Sequence, residues 1–468
     1  MKDLNFEDEL HFNEFPPVST EEWEEVIQKD LKGKDYKETL KWDTGEGIEP
    51  LPFYRKEDIE NLDHSAVPLS STPNWSIIEI IEDAPPAVAN ERCLHALENG
   101  AGGLDIRLSS ERINSKKDLE VLFDNIQIEI ITIVFGPSVY STRVNTWMNG
   151  IITDRSLNPD ALDIHFSADS LGQAVLSGKL PHKEWLNETA HQMLSGSGSF
   201  LVDISTYANG GATIIQQLAF ALATGNEYMG LSKDAGFALS FRFSTGTLYF
   251  PEIAKYRAFR LLWEKVLSEY GVNKDTTDVL SETALWNKAQ NDSHNNMLRS
   301  TTEAMSAAIG GCSAISIHRF DEHFNAPTLF ASRIARNTQL ILKEEAYLSK
   351  VSDPGAGSYY VEVLTEKIAE ESWKLFQEIE NNGGFYKSLK SGSIQKMISE
   401  SCQNRLQAYR DEQRSLIGVN KYQPDEQTDI TSVKFQTGTP PDLNADEVFD
   451  ITPVKPLYLE AELKMGDA

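Results

Sequence analysis

Cysteine is scarce in this 468-residue chain, which has three, Cys93, Cys312 and Cys402. Their odd number and wide spacing exclude a disulfide framework and a C-x-x-C metal site. Reduced thiols are the simplest account, and they predict a cytoplasmic protein. Long apolar runs are missing as well, and no stretch approaches the ~20 apolar residues of a membrane-spanning helix. The first residues, from Met1 to Phe12, are acidic and hold no apolar h-region, so no secretory signal is expected. Basic residues are outnumbered, 43 against 71 acids, for a net charge of −28. That balance repels phosphate backbones and anionic lipid, so neither nucleic acid nor a membrane is an expected partner. The charge is read as a solvated acidic surface. No GxGxxG, Walker loop, HExxH or GxSxG motif occurs.

What is present is ordinary globular sequence, 40% hydrophobic and 24% charged. The length suits one large domain with appendages, or two or three ordinary domains. From Trp75 onward, short apolar runs alternate with segments of helical periodicity. The runs are Ser76–Ile81, Leu104–Leu108, Ile128–Phe135, Leu162–Phe166, Phe200–Ile204, Phe237–Phe243, Val279–Thr283 and Ser313–His318. Strands alternating with helices over roughly 250 residues predict a (β/α)8 TIM barrel. A doubly wound open sheet gives the same alternation, and the count of eight favours closure. The clearest helix is Pro251–Tyr270, whose Ile253, Tyr256, Phe259, Leu262, Trp263, Val266 and Tyr270 stay close to one face.

The barrel is assigned to residues 71–400. Residues 1–70 form an N-terminal arm, where Ser19 and Glu22 have capping-box spacing and Trp23, Val26, Ile27 and Leu31 form an apolar stripe. A short helix with scattered aromatics cannot bury itself alone, so this arm is expected to pack on the main domain or on a partner chain. Residues 401–468 are a C-terminal extension. The helical region Ala331–Glu345, the turn Asp353–Ser358 and the helix Thr365–Glu380 lead to it. From Gln423 the pattern fades into polar, Pro-containing sequence that wraps or links.

In such a barrel, chemistry sits on loops at the C-terminal ends of the strands. The unit Ser199–Tyr228 is the test. After the strand Phe200–Ile204 a loop is expected over Ser205–Ala212, with Gly210 and Gly211 free to take positive φ. A helix capped by Thr213 and Gln216 follows. The loop offers Ser, Thr, Tyr and Asn, but no group able to act as a strong acid, base or metal ligand. Elsewhere, Asp105, Asp163, Asp203 and Glu282 lie in strands and are read as pairing with Arg107, Arg242 or Arg319. His165 and His318 are read as core or rim histidines. Asp292-Ser-His294 and Asp321-Glu-His323 each begin like the D-x-H-x-x-G signature for a cobalt-ligating His. Met297 and Ala326 replace its Gly, and both stretches are read as ordinary surface. Ser195-Gly-Ser-Gly-Ser199 precedes a strand and is read as a flexible connection.

Taken together, several stretches resemble the methylmalonyl-CoA mutase family, specifically its small, β subunit. They are Trp23–Gly33 with Leu40 and Gly47-Ile48; Trp75-Ser-Ile, Ala89-Asn90 and Gly100–Leu104; and Gly211-Ala-Thr213 with Glu227-Tyr228. Ile253–Ala258 with Leu262-Trp263, Ser332–Leu340, Asp353–Tyr360 and Leu416–Tyr422 extend the resemblance over roughly residues 20 to 422. The resemblance implies adenosylcobalamin-dependent isomerisation of an acyl-CoA, with substrate along the barrel axis and the cofactor on a separate C-terminal domain.

It also implies departures from the catalytic pattern. The catalytic subunit's Tyr-His pair falls on Ser205 and Thr206, and its Gln-Asn-Asp segment on Ser167–Gly172. Its Tyr-Pro-Tyr-Arg-type stretch falls on Ser70–Asn74, and its histidines of strands seven and eight on Leu280 and Ser316. The chain stops at Ala468, before a cobalamin domain. No catalytic, cofactor-binding or metal residue is therefore carried over. The chain is expected to be the non-catalytic partner of a large α subunit that binds adenosylcobalamin, in a heterodimer interconverting methylmalonyl-CoA and succinyl-CoA. Trp23, Trp42, Phe53 and Tyr54 are the expected subunit contacts. Two rivals remain. One is a catalytic acyl-CoA mutase barrel using a cobalamin domain on another chain, with Thr206, Tyr207, Asn209 and Arg242 at its mouth. The other is a stand-alone barrel for a different small ligand.

Overall fold

In the computed structural model, residues 17–60, 62, 74–107, 109, 112–136, 141–194, 198–231, 239–272, 277–425 and 448–465 are described. The chain divides into two compact units, 1–54 and 55–468.

Within the first unit, a helix spans Thr20–Asp30, and Ser19 with Glu22 closes the capping box that the spacing predicts. Gly33, just past its end, takes φ +86°, a conformation that costs glycine least. The stripe residue Trp23 stacks on Phe53 with centroids 4.3 Å apart.

The second unit is built on the strands β1 Ser76–Ile81, β2 Gly103–Ile106, β3 Thr132–Phe135, β4 Asp163–Phe166, β5 Lys179–Pro181, β6 Ser199–Asp203, β7 Leu239–Thr245, β8 Val279–Thr283, β9 Ala314–Ser316 and β10 Val448–Asp450. Eight of them close a parallel barrel in the order β1-β2-β3-β4-β6-β7-β8-β9, with β1 pairing back to β9. Strands β5 and β10 form a separate antiparallel ribbon. Each sequence-predicted strand coincides with a barrel strand, with ends shifted by a few residues. Ile128–Ile130 is a 3-10 turn before β3.

Side chains alternate across a strand, so every second residue enters the barrel. Ile78, Val134, Leu201 and Leu280, from alternate barrel strands, meet with Ala314 as one apolar layer. Polar side chains fill the axis on both sides of it. At β8, Leu280 lies between Asp278, just before the strand, and Glu282 above. Along β6, Leu201 lies between Ser199 and Asp203.

The helix Tyr249–Glu269 is buried on more sides than its apolar stripe predicts, because the helix Tyr359–Asn381 covers its outer surface. Its buried charges are all engaged. Lys255 donates to the Ser244 carbonyl at 2.6 Å and pairs with Glu252 at 2.5 Å. Arg260 donates to the Gly311 carbonyl at 2.6 Å. Arg257 pairs with Asp353 and, at 2.8 Å, with Glu362, which accepts the Gly357 N–H. The stretch Asp353–Ser358 is thus clasped to the barrel's helical ring. Likewise, Arg336 pairs with Glu79, and Gln339 accepts from the Trp75 indole at 3.1 Å, tying the helix Leu329–Leu340 to β1. Two of the stretches that carry the sequence resemblance, Ser332–Leu340 and Asp353–Tyr360, thus serve as scaffold.

Cys93, Cys312 and Cys402 are free thiols. Burial pushes Cys93 and Cys312 up to about 12, so they are inert. No described helix is long and apolar enough to cross a membrane.

Candidate functional site

The C-terminal end of the barrel axis holds an ionic cluster. Asp105, in β2, and Arg107, just beyond its end, point to the same face. Arg107 Nη2 lies 2.9 Å from both Asp105 and Glu282. Arg242, rising from β7, reaches Asp203 and, at 3.1 Å, Asp105, with Glu282 at 3.8 Å. His318 lies between Glu322 at 2.9 Å and Glu282 at 3.6 Å. Arg319 spans Asp321 at 2.6 Å and Glu82 at 2.9 Å. The pairing of Asp105, Asp203 and Glu282 with arginines is as the sequence predicts; Asp163, expected to pair in the same way, instead meets His165 and Thr132 at the other end of the axis.

Electrostatics make the cluster self-sufficient. Burial opposes the charge on Glu282, but His318, Arg242 and Arg107 outweigh it and hold its carboxyl well below the usual range. Burial would also neutralise His318, yet Glu322 and Glu282 raise it to about 9. Glu322, opposed by burial, is drawn down to about 2 by His318. A group held this firmly in one protonation state at neutral pH is a poor proton carrier.

The stretch after β6 differs from its expectation. Ser205–Asn209 is a short helix instead of a loop, and Ser205 Oγ donates to Asp203 Oδ1 at 2.5 Å. Gly210 keeps φ −81°; only Gly211 is left-handed, at +109°. Gly210 is needed for close approach, since a Cβ there would meet Val454 Cγ1 at 2.3 Å. Of the four residues of the catalytic rival, Arg242 and Asn209 are engaged by other side chains or backbone, and Thr206 and Tyr207 are buried. Arg242 is in the cluster. Tyr207 packs against Phe220 and Phe385, with burial driving its phenol far up. Asn209 Oδ1 accepts the Leu285 N–H at 3.1 Å.

Other expected positions are also structural. Asp169 caps the helix Ser170–Ser177 and accepts from Tyr228 OH at 2.8 Å, and its burial pushes it up to about 6. Leu280 belongs to the apolar layer, and Ser316 is buried in β9. Residues 70–73 and 195–197, where two further expectations fall, lie outside the described residues.

The D-x-H stretches separate. Asp292 and His294 are exposed as expected, with the His294 ring stacked on Phe320. Asp321 and His323 are not surface residues. Asp321 is paired to Arg319, and His323 Nε2 donates to the Leu285 carbonyl at 2.9 Å beneath Tyr458. In the first stretch, the Asp292 carboxylate is taken by Asn295. Neither stretch presents the Asp-supported imidazole that a corrin cobalt requires, so no step is assigned to one on these residues.

Residues 448–465 lie over this end of the barrel, which their polar composition alone did not foretell. β10 pairs with β5. The N–H groups of Val454, Leu457 and Leu459 then bond to the carbonyls of Val175, Asn209 and Trp286 at 2.8, 2.7 and 3.1 Å. Those carbonyls belong to segments that follow β4, β6 and β8. Glu460, fully buried, accepts the Gln290 and Asn291 N–H groups at 2.6 and 3.2 Å. Leu457, Leu459 and Leu463 join Trp286, Tyr409 and Leu416 in a second apolar cluster.

Residues 110–441 match the sequence model of the family described as methylmalonyl-CoA mutase. The methylmalonyl-CoA mutase small subunit of Porphyromonas gingivalis is 35% identical over 445 residues, covering 89% of this chain and 71% of that one. The small subunit of Streptomyces virginiae is 29% identical, covering 87% of this chain and 71% of that one. The methylmalonyl-CoA mutase of Cereibacter sphaeroides is 31% identical and covers 86% of this chain, which spans 64% of its length. With the closed barrel, these matches establish that the chain belongs to the methylmalonyl-CoA mutase family.

Proposed function

We propose that this chain is the non-catalytic small (β) subunit of a heterodimeric methylmalonyl-CoA mutase. It supports a large α subunit that binds adenosylcobalamin and interconverts methylmalonyl-CoA and succinyl-CoA. The observation that carries this reading is the state of the barrel mouth. Its described acids and bases are paired with one another, Ser205 and Thr206, where the resemblance puts the catalytic Tyr-His pair, bring no imidazole, and residues 448–465 lie across it. A substrate threading the axis would have to break a buried ion cluster, and breaking one partner of such a set costs about 3–5 kcal/mol.

The relatives named as small subunits favour a larger partner. We assign its contact to residues 1–70, with residues 71–400 as barrel and 401–468 as the extension that covers the mouth. Trp23, Trp42, Phe53 and Tyr54 are the proposed contacts; Trp23 and Phe53 act as one stacked pair. The complex works in the cytoplasm, in keeping with three free thiols.

The test is co-expression with the α chain, co-purification, and a mutase assay with adenosylcobalamin. One-to-one association is expected, with activity unchanged by Thr206→Ala and Tyr207→Phe. Activity from this chain with an isolated cobalamin-binding domain, lost on those substitutions, would make the barrel catalytic. If deletion of residues 1–55 leaves the association intact, the arm is not the contact.

A further inference from the structure

We propose that the N-terminal end of the barrel axis is a divalent metal site, suited to zinc and formed by Asp163, His165 and Asp278. One ligand atom from each lies within 4.8 Å of the others. This is the end opposite the one where barrel enzymes work, so the ion would stabilise the subunit and take no part in the reaction.

The imidazole is built in. His165 is 2% exposed, and its Nδ1 lies 2.6 Å from Ser199 Oγ and 3.0 Å from Ser240 Oγ. Those hydroxyls fix the ring and turn Nε2 toward the carboxylates, with Asp163 Oδ1 at 2.9 Å. A hydrogen-bonded second nitrogen is the usual support for a ligating histidine. Asp163 is oriented in the same way, its Oδ2 accepting from Thr132 Oγ1 at 2.6 Å.

Asp278 supplies the third, independent observation. Its backbone is anchored, because its carbonyl accepts the Phe241 N–H at 3.0 Å and the neighbouring Thr277 accepts from the Trp263 indole at 3.0 Å. Its carboxylate has no hydrogen-bond or ion-pair partner among the described residues. Two carboxylates gathered around one imidazole concentrate acceptor oxygens on a single point, which a divalent ion suits. One imidazole nitrogen and two carboxylate oxygens, with water completing the sphere, match zinc's preferred donors. Calcium needs more oxygens than the site offers, and no thiolate is present for softer ions.

The experiment is calorimetric titration of the EDTA-treated full chain with zinc chloride, run beside Asp278→Asn and Asp163→Asn. One zinc per chain is expected, with each substitution weakening binding at least about tenfold. Asp278→Asn removes no hydrogen bond or ion pair among the described residues, so that variant is expected to fold and keeps the test valid. Absence of saturable binding by the wild type would overturn the site. So would unchanged affinity in both variants, which would place the zinc on surface acids.

Discussion

At the C-terminal end of the axis, Asp105, Asp203 and Glu282 surround two guanidiniums, and every charge has a counter-charge within 4 Å. At the N-terminal end, Asp163 and Asp278 flank a single imidazole, and one carboxylate has no partner among the described residues. Only one layer of aliphatic side chains separates the two. The end where chemistry is customary in this fold is closed on itself, and the end usually given to stability keeps an unbalanced charge. A site's place in the fold therefore says less than whether its groups are already satisfied.

The largest way to break this contrast is Arg242→Met. It leaves Asp105 and Asp203 buried and underpaired, and unfolding should become easier by about 3–5 kcal/mol. The urea midpoint reports it. At the other end, Ser240→Ala removes one of two hydroxyls on His165 and should cost only ~1 kcal/mol.

Next in size is pH. His318, raised to about 9 in the fold, contributes fully below its ordinary value near 6.5 and loses that contribution as pH rises through 9. At ~1.4 kcal/mol per unit, the alkaline loss is about 3 kcal/mol. Glu322, lowered to about 2, contributes fully above about 4.5 and loses its share as pH falls through 2. Asp169 acts in the opposite sense. Its pKa is raised to about 6, so its effect on stability declines from about pH 4 to 6. The alkaline limb is therefore the clean readout. Urea unfolding of His318→Gln between pH 6.5 and 9.5 should show it flattened.

Third is the cover. Glu460→Ala removes the acceptor of the Gln290 and Asn291 N–H groups, the second of them buried, at a cost of ~1–3 kcal/mol. Amide exchange should rise there and at Leu457 and Leu459, and stay unchanged around His165.

Much of this architecture was legible in the sequence. Eight runs of the right length pointed to the barrel, and acids and arginines sharing the strands pointed to ion pairs. What was not legible is non-local. Phe449 pairs with Leu180, far back in the chain, and stacks on His182, so a polar tail becomes a cover. Tyr458 roofs His323, which is why a residue taken for surface is buried. The five-residue helix Ser205–Asn209 was hidden because Gly210-Gly211 signals a loop, while one of those glycines serves close packing. The metal triad escaped because Asp278 lies just outside its strand, over 110 residues beyond His165.

The smallest expected effect sharpens the comparison most. In EDTA, Asp278→Asn should change stability by no more than about 0.5 kcal/mol, because the carboxylate has no partner among the described residues whose loss could be felt. The substitution relieves repulsion with Asp163, so any change should be a slight gain. With zinc present, the ranking inverts. The wild type gains stability by mass action as zinc rises above its dissociation constant, and the variant does not. Thermal unfolding of both proteins in EDTA and in zinc gives four curves. Three should superimpose, with wild type in zinc displaced upward. If Asp278→Asn were instead destabilising in EDTA, Asp278 would have a protein partner, and the contrast between a satisfied and an unsatisfied end would fail.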